Sequence, residues 1–224
     1  MGDVQIKVMT IIIHGLAAST CTSRVVATLI EKEVVDYVIE PVDLVSGAHK
    51  KPEYLALQPF GVIPVIQDGD LTLFESRAIA RYICDKYANQ GTALYGSSLT
   101  DRAKVEQWLE VESQNFHLPI GTAVFELVFK GYRGLTTDDS VVEANLSKLS
   151  SVLDIYEVHL SKNKYLAGDF FSLADLSHLP YLHYLIHVAK KGDVVTSKKH
   201  VNAWWEDISS RPSWKKVLEL MAGN

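Results

Sequence analysis

The chain has 224 residues, 47% hydrophobic and 22% charged, enough to bury a substantial core as one large or two small domains. A net charge of −5 with no basic stripe argues against nucleic acid and anionic membrane surfaces as partners. Two cysteines, Cys21 and Cys84, make no disulfide framework and fit a reducing cytoplasm. The apolar run Val8 to Ile13 covers a strand but is too short for a membrane span or a signal peptide, and Ile6 stands where a myristoylation signal needs Ser or Thr.

In chain order, residues 5–13 read as a first strand and 19–32 as a first helix, with Val25 and Leu29, then Val26 and Ile30, at helical spacing. Asp36 to Glu40 alternates as a short second strand. Val42 to Pro52 holds a loop with Gly47, and Lys51 to Leu57 reads as an irregular helix. Val62 to Ile66 is an apolar run in which Pro64 cannot donate to a ladder, so it should sit at a strand start, with a cis Ile63–Pro64 bond. Asp68-Gly69-Asp70 signals a hairpin into a strand from Leu71 to Phe74, followed by a helix from Glu75 to Tyr87. The order β-α-β then β-β-α is that of an α+β thioredoxin-like domain, residues 1–88.

Asn89 to Ser98 is polar and Gly-rich, a linker over 89–98. Beyond it strand signals stop, and residues 99–224 read as an all-α domain. A helix starts near Thr100, with Val105, Trp108 and Leu109 on one face, and a loop spans Tyr132 to Asp139. Leu146, Leu149, Leu153, Tyr156 and Leu160 stripe another helix. Ser172-Leu173-Ala174-Asp175 fits a capping box with Asp175 at its third position. Val201 to Ile208 and Ser213 to Met221 mark two final helices.

The chemistry is expected between Gly15 and Val25, where small residues and hydroxyls open the first helix. A helix N-terminus has unpaired N–H groups and a partial positive charge, so it favours an anion. From position alone Ser19 reads as a helix cap. Cys21, in the same turn, offers a competing reading as a nucleophile for thiol exchange. His178, His183 and His187 share a helical segment, but no carboxylate there completes a ligand set, so no metal is expected.

Ala18-Ser19-Thr20-Cys21-Thr22-Ser23-Arg24-Val25 resembles the A-S-T-x-T-x-R-V segment of phi-class glutathione transferases, the plant serine-type branch of that family. Gly47-Ala48-His49-Lys50-Lys51-Pro52 is similar to the family's G-E-H-K-K-P loop. Gln58-Pro59-Phe60-Gly61-Val62-Ile63-Pro64 and Phe74-Glu75-Ser76-Arg77-Ala78-Ile79 follow in the family's order and spacing. The resemblance implies the glutathione transferase fold, with glutathione as co-substrate. It implies that Ser19 donates to the glutathione thiolate, His49 and Lys50 hold the glycyl carboxylate, and Ile63, ahead of Pro64, pairs with the cysteinyl unit. Glu75 would take the γ-glutamyl ammonium and Ser76 its carboxylate. Val62 stands where many relatives carry Gln or Lys, which implies weaker glutathione binding. The hydrophobic second substrate would meet Leu16, Ala17, Phe116, His117, Ile120 and Phe125, although Phe116 and Phe125 read equally well as core of a helical bundle. The implied activity is conjugation of glutathione to hydrophobic electrophiles, with hydroperoxide reduction as a companion, in a cytoplasmic homodimer. Two alternatives stand beside it: a non-catalytic carrier of flavonoid-type ligands, and a Cys21-based thiol transferase.

Overall fold

The computed structural model describes residues 10–223, so residues 5–9 of the expected first strand lie outside the described residues. Two compact units divide the chain, one of residues 1–92 with 216–224 and the other of 93–215.

In the first unit, β1 (Ile11–Gly15) buries Ile11 and Ile13 completely and leads into α1 (Thr20–Glu31). Then come β2 (Tyr37–Pro41), a 3₁₀ turn Ala48–Lys50, the short α2 (Pro52–Leu55), β3 (Val65–Asp68), β4 (Leu71–Phe74) and α3 (Ser76–Lys86). The sheet order is β2-β1-β3-β4, with β2 parallel to β1 and the other pairs antiparallel. This is the thioredoxin-like arrangement. The helix α1 turns its buried Val25, Val26 and Leu29 to the core, each worth about 1.5–3 kcal/mol of burial. It stops where Glu33 takes φ 54°: the Glu33 N–H donates to the Ile30 carbonyl and the Val34 N–H to that of Leu29, closing a Schellman motif.

One boundary agrees with the sequence reading and one differs. β3 starts at Val65, directly after Pro64 where the strand start was expected, because Pro64, behind a cis Ile63–Pro64 bond, has no N–H for the ladder. β1 runs on to Gly15, since His14 pairs with Val65 and Gly15 with Pro41.

The second unit carries helices and, among its described residues, no strand. They are α4 (Leu99–Val111), α5 (His117–Val124), α6 (Asp139–Leu160), α7 (Leu173–His183), α8 (Asp193–Thr196), α9 (Lys199–Ser209) and α10 (Pro212–Ala222), whose last turns group with the first unit. π-helical turns at Glu112–Phe116, Phe125–Phe129 and Tyr184–Val188 extend α4, α5 and α7. The capping box at Ser172 is formed, and its Asp175 is fully buried. That carboxylate accepts from the N–H of Leu166, the N–H and hydroxyl of Ser172, and the indole of Trp204. Rings of Trp108, Phe116, Tyr156, His178 and Trp204 fill the centre of this unit. No helix among the described residues is long and apolar enough to cross a membrane.

The stretch expected as a linker, 89–98, is hydrogen-bonded near its middle. The Thr92 N–H donates to the Glu31 carbonyl and the Lys32 ammonium to the Thr92 carbonyl, while Leu94 is buried and accepts from the Leu173 N–H.

Candidate active site

Register decides where the expected glutathione segments meet. Val65, the first residue of β3, pairs with His14 near the end of β1 and with Phe74 at the end of β4. Pro41, at the end of β2, pairs with Gly15. All four strands therefore open onto one sheet edge, and four segments leave it there: the Leu16–Ser19 loop, the loop after Pro41, the Val62–Pro64 approach to β3, and Glu75–Ser76. Four stretches scattered over 60 residues of sequence are gathered by strand pairing alone.

At that edge Ser19 is the N-cap of α1, with extended φ −71° and ψ 131°, yet its hydroxyl makes no cap hydrogen bond. The simple capping role is not what the geometry holds. Gly15 is needed because a Cβ there would meet the Thr22 hydroxyl at 2.6 Å, so the loop folds tightly over the first turn of the helix. Neither α1 nor α3 carries an acidic residue in its first turn, whereas α4 and α7 have capping boxes and α6 is capped by Asp138. The positive ends of α1 and α3 are thus left uncompensated by carboxylates within their own first turns. Cys21 lies in the first turn of α1, partly exposed.

Glu75, the N-cap of α3, is exposed and held at φ 69°, an unusual conformation for a residue with a side chain, and one that clusters at functional sites. Ser76 is 4% exposed, and its hydroxyl oxygen accepts from Nη1 of the fully buried Arg24 at 2.7 Å. On the other flank, the Lys50 ammonium donates to the Phe60 carbonyl at 3.0 Å, and His49 is half-buried. Gly61, at φ 60°, lets the two loops close: a Cβ there would sit 2.7 Å from the His49 carbonyl oxygen. Val62 is half exposed, and its carbonyl accepts from the Tyr54 hydroxyl at 2.9 Å, which pins the backbone just ahead of Ile63 and Pro64. Burial pushes the Tyr54 phenol up to about 12, so it donates at any working pH. Arg24 and Tyr54 were missed as site residues. The signal for Arg24 was a charge inside the otherwise uncharged run Thr20–Ile30; for Tyr54 there was none.

The expected wall for a second substrate fares unevenly. Leu16 is half-buried and Ala17 is 2% exposed. In the second unit Phe116 is fully buried against the rings of Tyr156 and His178, and Ile120 is fully buried as well. Of the two readings open for Phe116, the ring cluster favours core, and Ile120 has no surface to present. His117 meets Tyr181 edge-on at 5.0 Å, and Phe125 lies under the Arg133 guanidinium, both partly exposed. His178 is engaged at both nitrogens: the Ala174 carbonyl can only accept, so Nδ1 carries the proton and Nε2 takes the Tyr156 hydroxyl. His183 packs with Trp214 and His187 with Trp205.

A thioredoxin-like half with open helix starts at one sheet edge, followed by a helical half, defines a class of two-unit proteins. The glutathione S-transferase N-terminal domain family matches residues 14–85 and the glutathione S-transferase C-terminal domain family residues 111–212. Glutathione S-transferase F9 of Arabidopsis thaliana is 50% identical over 195 residues, 87% of this chain and 90% of that protein. The crystal structure of glutathione transferase F2 from Populus trichocarpa superposes with a TM-score of 0.93 at 46% identity, covering 96% of this chain and all of that one. Maize glutathione S-transferase I, solved with an atrazine glutathione conjugate, gives a TM-score of 0.86 at 39% identity over 95% of this chain and 98% of that one. The chain belongs to the glutathione S-transferases, in their plant phi class.

Proposed function

We propose that this glutathione transferase activates its co-substrate through Ser19, whose hydroxyl donates a hydrogen bond to the glutathione sulfur at the N-terminus of α1. A thiol of pKa about 8.5 is only about 3% thiolate at pH 7, and the thiolate is the nucleophile. Lowering that pKa by about two units takes about 2.7 kcal/mol. One hydrogen bond to a charged acceptor, about 1.5–3 kcal/mol, with a helix end worth up to about 2 kcal/mol, is enough. The thiolate then attacks an electrophilic carbon of a hydrophobic compound, a thioether forms, and the leaving group departs with its electron pair.

In this reading His49 and Lys50 take the glycyl carboxylate, with Lys50 supplying the charge. The Ile63 backbone pairs with the cysteinyl unit by strand addition, since it lies two residues ahead of the β3 ladder. Glu75 takes the γ-glutamyl ammonium, while Ser76 and the start of α3 take its carboxylate. The Val62 side chain offers no polar contact, so glutathione binds more weakly than with an amide or a lysine there. The atrazine conjugate held by the maize relative supports a substrate of the hydrophobic aryl-halide kind. A two-fold dimer in the cytoplasm completes the proposal, tested by light scattering and cell fractionation.

The observation that carries the reading is the Ser19 hydroxyl, which stands at the α1 N-cap without capping it. The test is conjugation of glutathione to a chlorodinitroaryl compound by the wild type, Ser19→Ala and Cys21→Ser. Loss confined to Ser19→Ala is expected; loss confined to Cys21→Ser transfers the chemistry to the cysteine.

A further inference from the structure

We propose that Arg24 is a positioning residue for glutathione, acting through Ser76 to aim the one proton that Ser76 can give to the γ-glutamyl carboxylate; this rests on the reading of Ser76 above. A guanidinium carries five N–H donors and no acceptor, and a serine hydroxyl has one proton and two lone pairs. With Arg24 Nη1 donating to Ser76 Oγ at 2.7 Å, a lone pair of Ser76 is spoken for and its proton cannot point back at Arg24. It turns to another acceptor. Both side chains are buried, at 0% and 4% exposure, so water does not compete for the arrangement.

The same bond joins the two helices whose starts face the sheet edge. Arg24 lies five residues after Ser19 on α1, about one and a half turns, and its partner is the first residue of α3. One guanidinium therefore fixes the offset between the sulfur donor and the γ-glutamyl subsite. Capping does not account for the pair, because α3 makes no side-chain cap hydrogen bond.

The experiment is a binding cycle on the full chain with two thiols, glutathione and cysteinylglycine, which lacks the γ-glutamyl unit. Calorimetric titration of Arg24→Met, Ser76→Ala and the double variant reads the coupling. Arg24→Met is expected to weaken glutathione about 10- to 100-fold, the worth of a hydrogen bond from a charged donor, while cysteinylglycine changes less than about twofold. The double variant is expected to bind glutathione no worse than Ser76→Ala alone. At saturating glutathione the turnover of Arg24→Met stays near wild type, so KM moves and kcat does not. Losses that add in the double variant, or equal weakening of both thiols, overturn the proposal. Should Arg24→Met not fold, Arg24→Lys takes its place, keeping a charge but not the planar fork. It is expected to weaken glutathione by a smaller, several-fold factor and to leave cysteinylglycine unchanged, and equal weakening of both thiols or additivity with Ser76→Ala again overturns the proposal. If Ser76→Ala leaves glutathione affinity unchanged, the γ-glutamyl subsite and this proposal fall together. An unaltered thiol pKa in Ser19→Ala removes the Ser19 mechanism and leaves this proposal standing.

Discussion

Replacing Ser19 by alanine separates the chemistry from the fold. The hydroxyl makes no cap bond, so the usual cost of deleting a capping serine, about 0.5–2 kcal/mol, does not apply, and the melting temperature should barely move. The bound thiol is another matter. Losing a donor to a charged sulfur, about 1.5–3 kcal/mol, raises its pKa by about one to two units. Starting from about 6.5, the thiolate at pH 7 falls from about three-quarters of the bound glutathione to between about a fifth and a fiftieth. Conjugation at saturating glutathione should drop about 4- to 40-fold at pH 7 and recover as the pH is raised towards 9. The assay is a pH titration of the ultraviolet thiolate absorbance of the binary complex, run beside the rate profile. If both proteins give the same thiol pKa, the hydroxyl does not ionise the sulfur and the mechanism is wrong.

Asp175→Ala strands four buried donors and should cost about 4 kcal/mol or more in urea denaturation, with Asp175→Asn milder because it keeps an acceptor. His183 has its pKa lowered to about 4 by burial, with His187 adding to it. A folded pKa below the unfolded one means that the stabilisation is present above about 6.5 and lost as the pH falls from there towards 4. His183→Gln should flatten the fall in melting temperature over that window. Tyr54→Phe frees the Val62 carbonyl and should raise the KM for glutathione several-fold, with kcat unchanged, in steady-state kinetics.

Local signals carried much of the first unit. The Asp68-Gly69-Asp70 turn set the bounds of β4, and the apolar spacing of α1 its extent, because hairpin chemistry and helical period act over a few residues. What depends on distant partners was not legible. Arg24 stood inside the most informative segment of the sequence, yet its hydrogen-bond partner is a serine 52 residues away. The π-helical turns at Glu112–Phe116 and Phe125–Phe129 leave no period to detect, and α8, at four residues, is too short to show one. Phe116 and Phe125 have the same side chain, and only tertiary contacts bury the first fully while leaving the second partly open.

The strand pairing also defines a quiet side. Gly69 and Asp70, both exposed, turn at the end of the sheet opposite the one from which Ser19, Pro64 and Ser76 emerge. A fluorophore, an affinity handle or a surface tether grafted at that hairpin would sit a strand's length from the proposed glutathione site. It is the natural place to immobilise the enzyme without altering its kinetics.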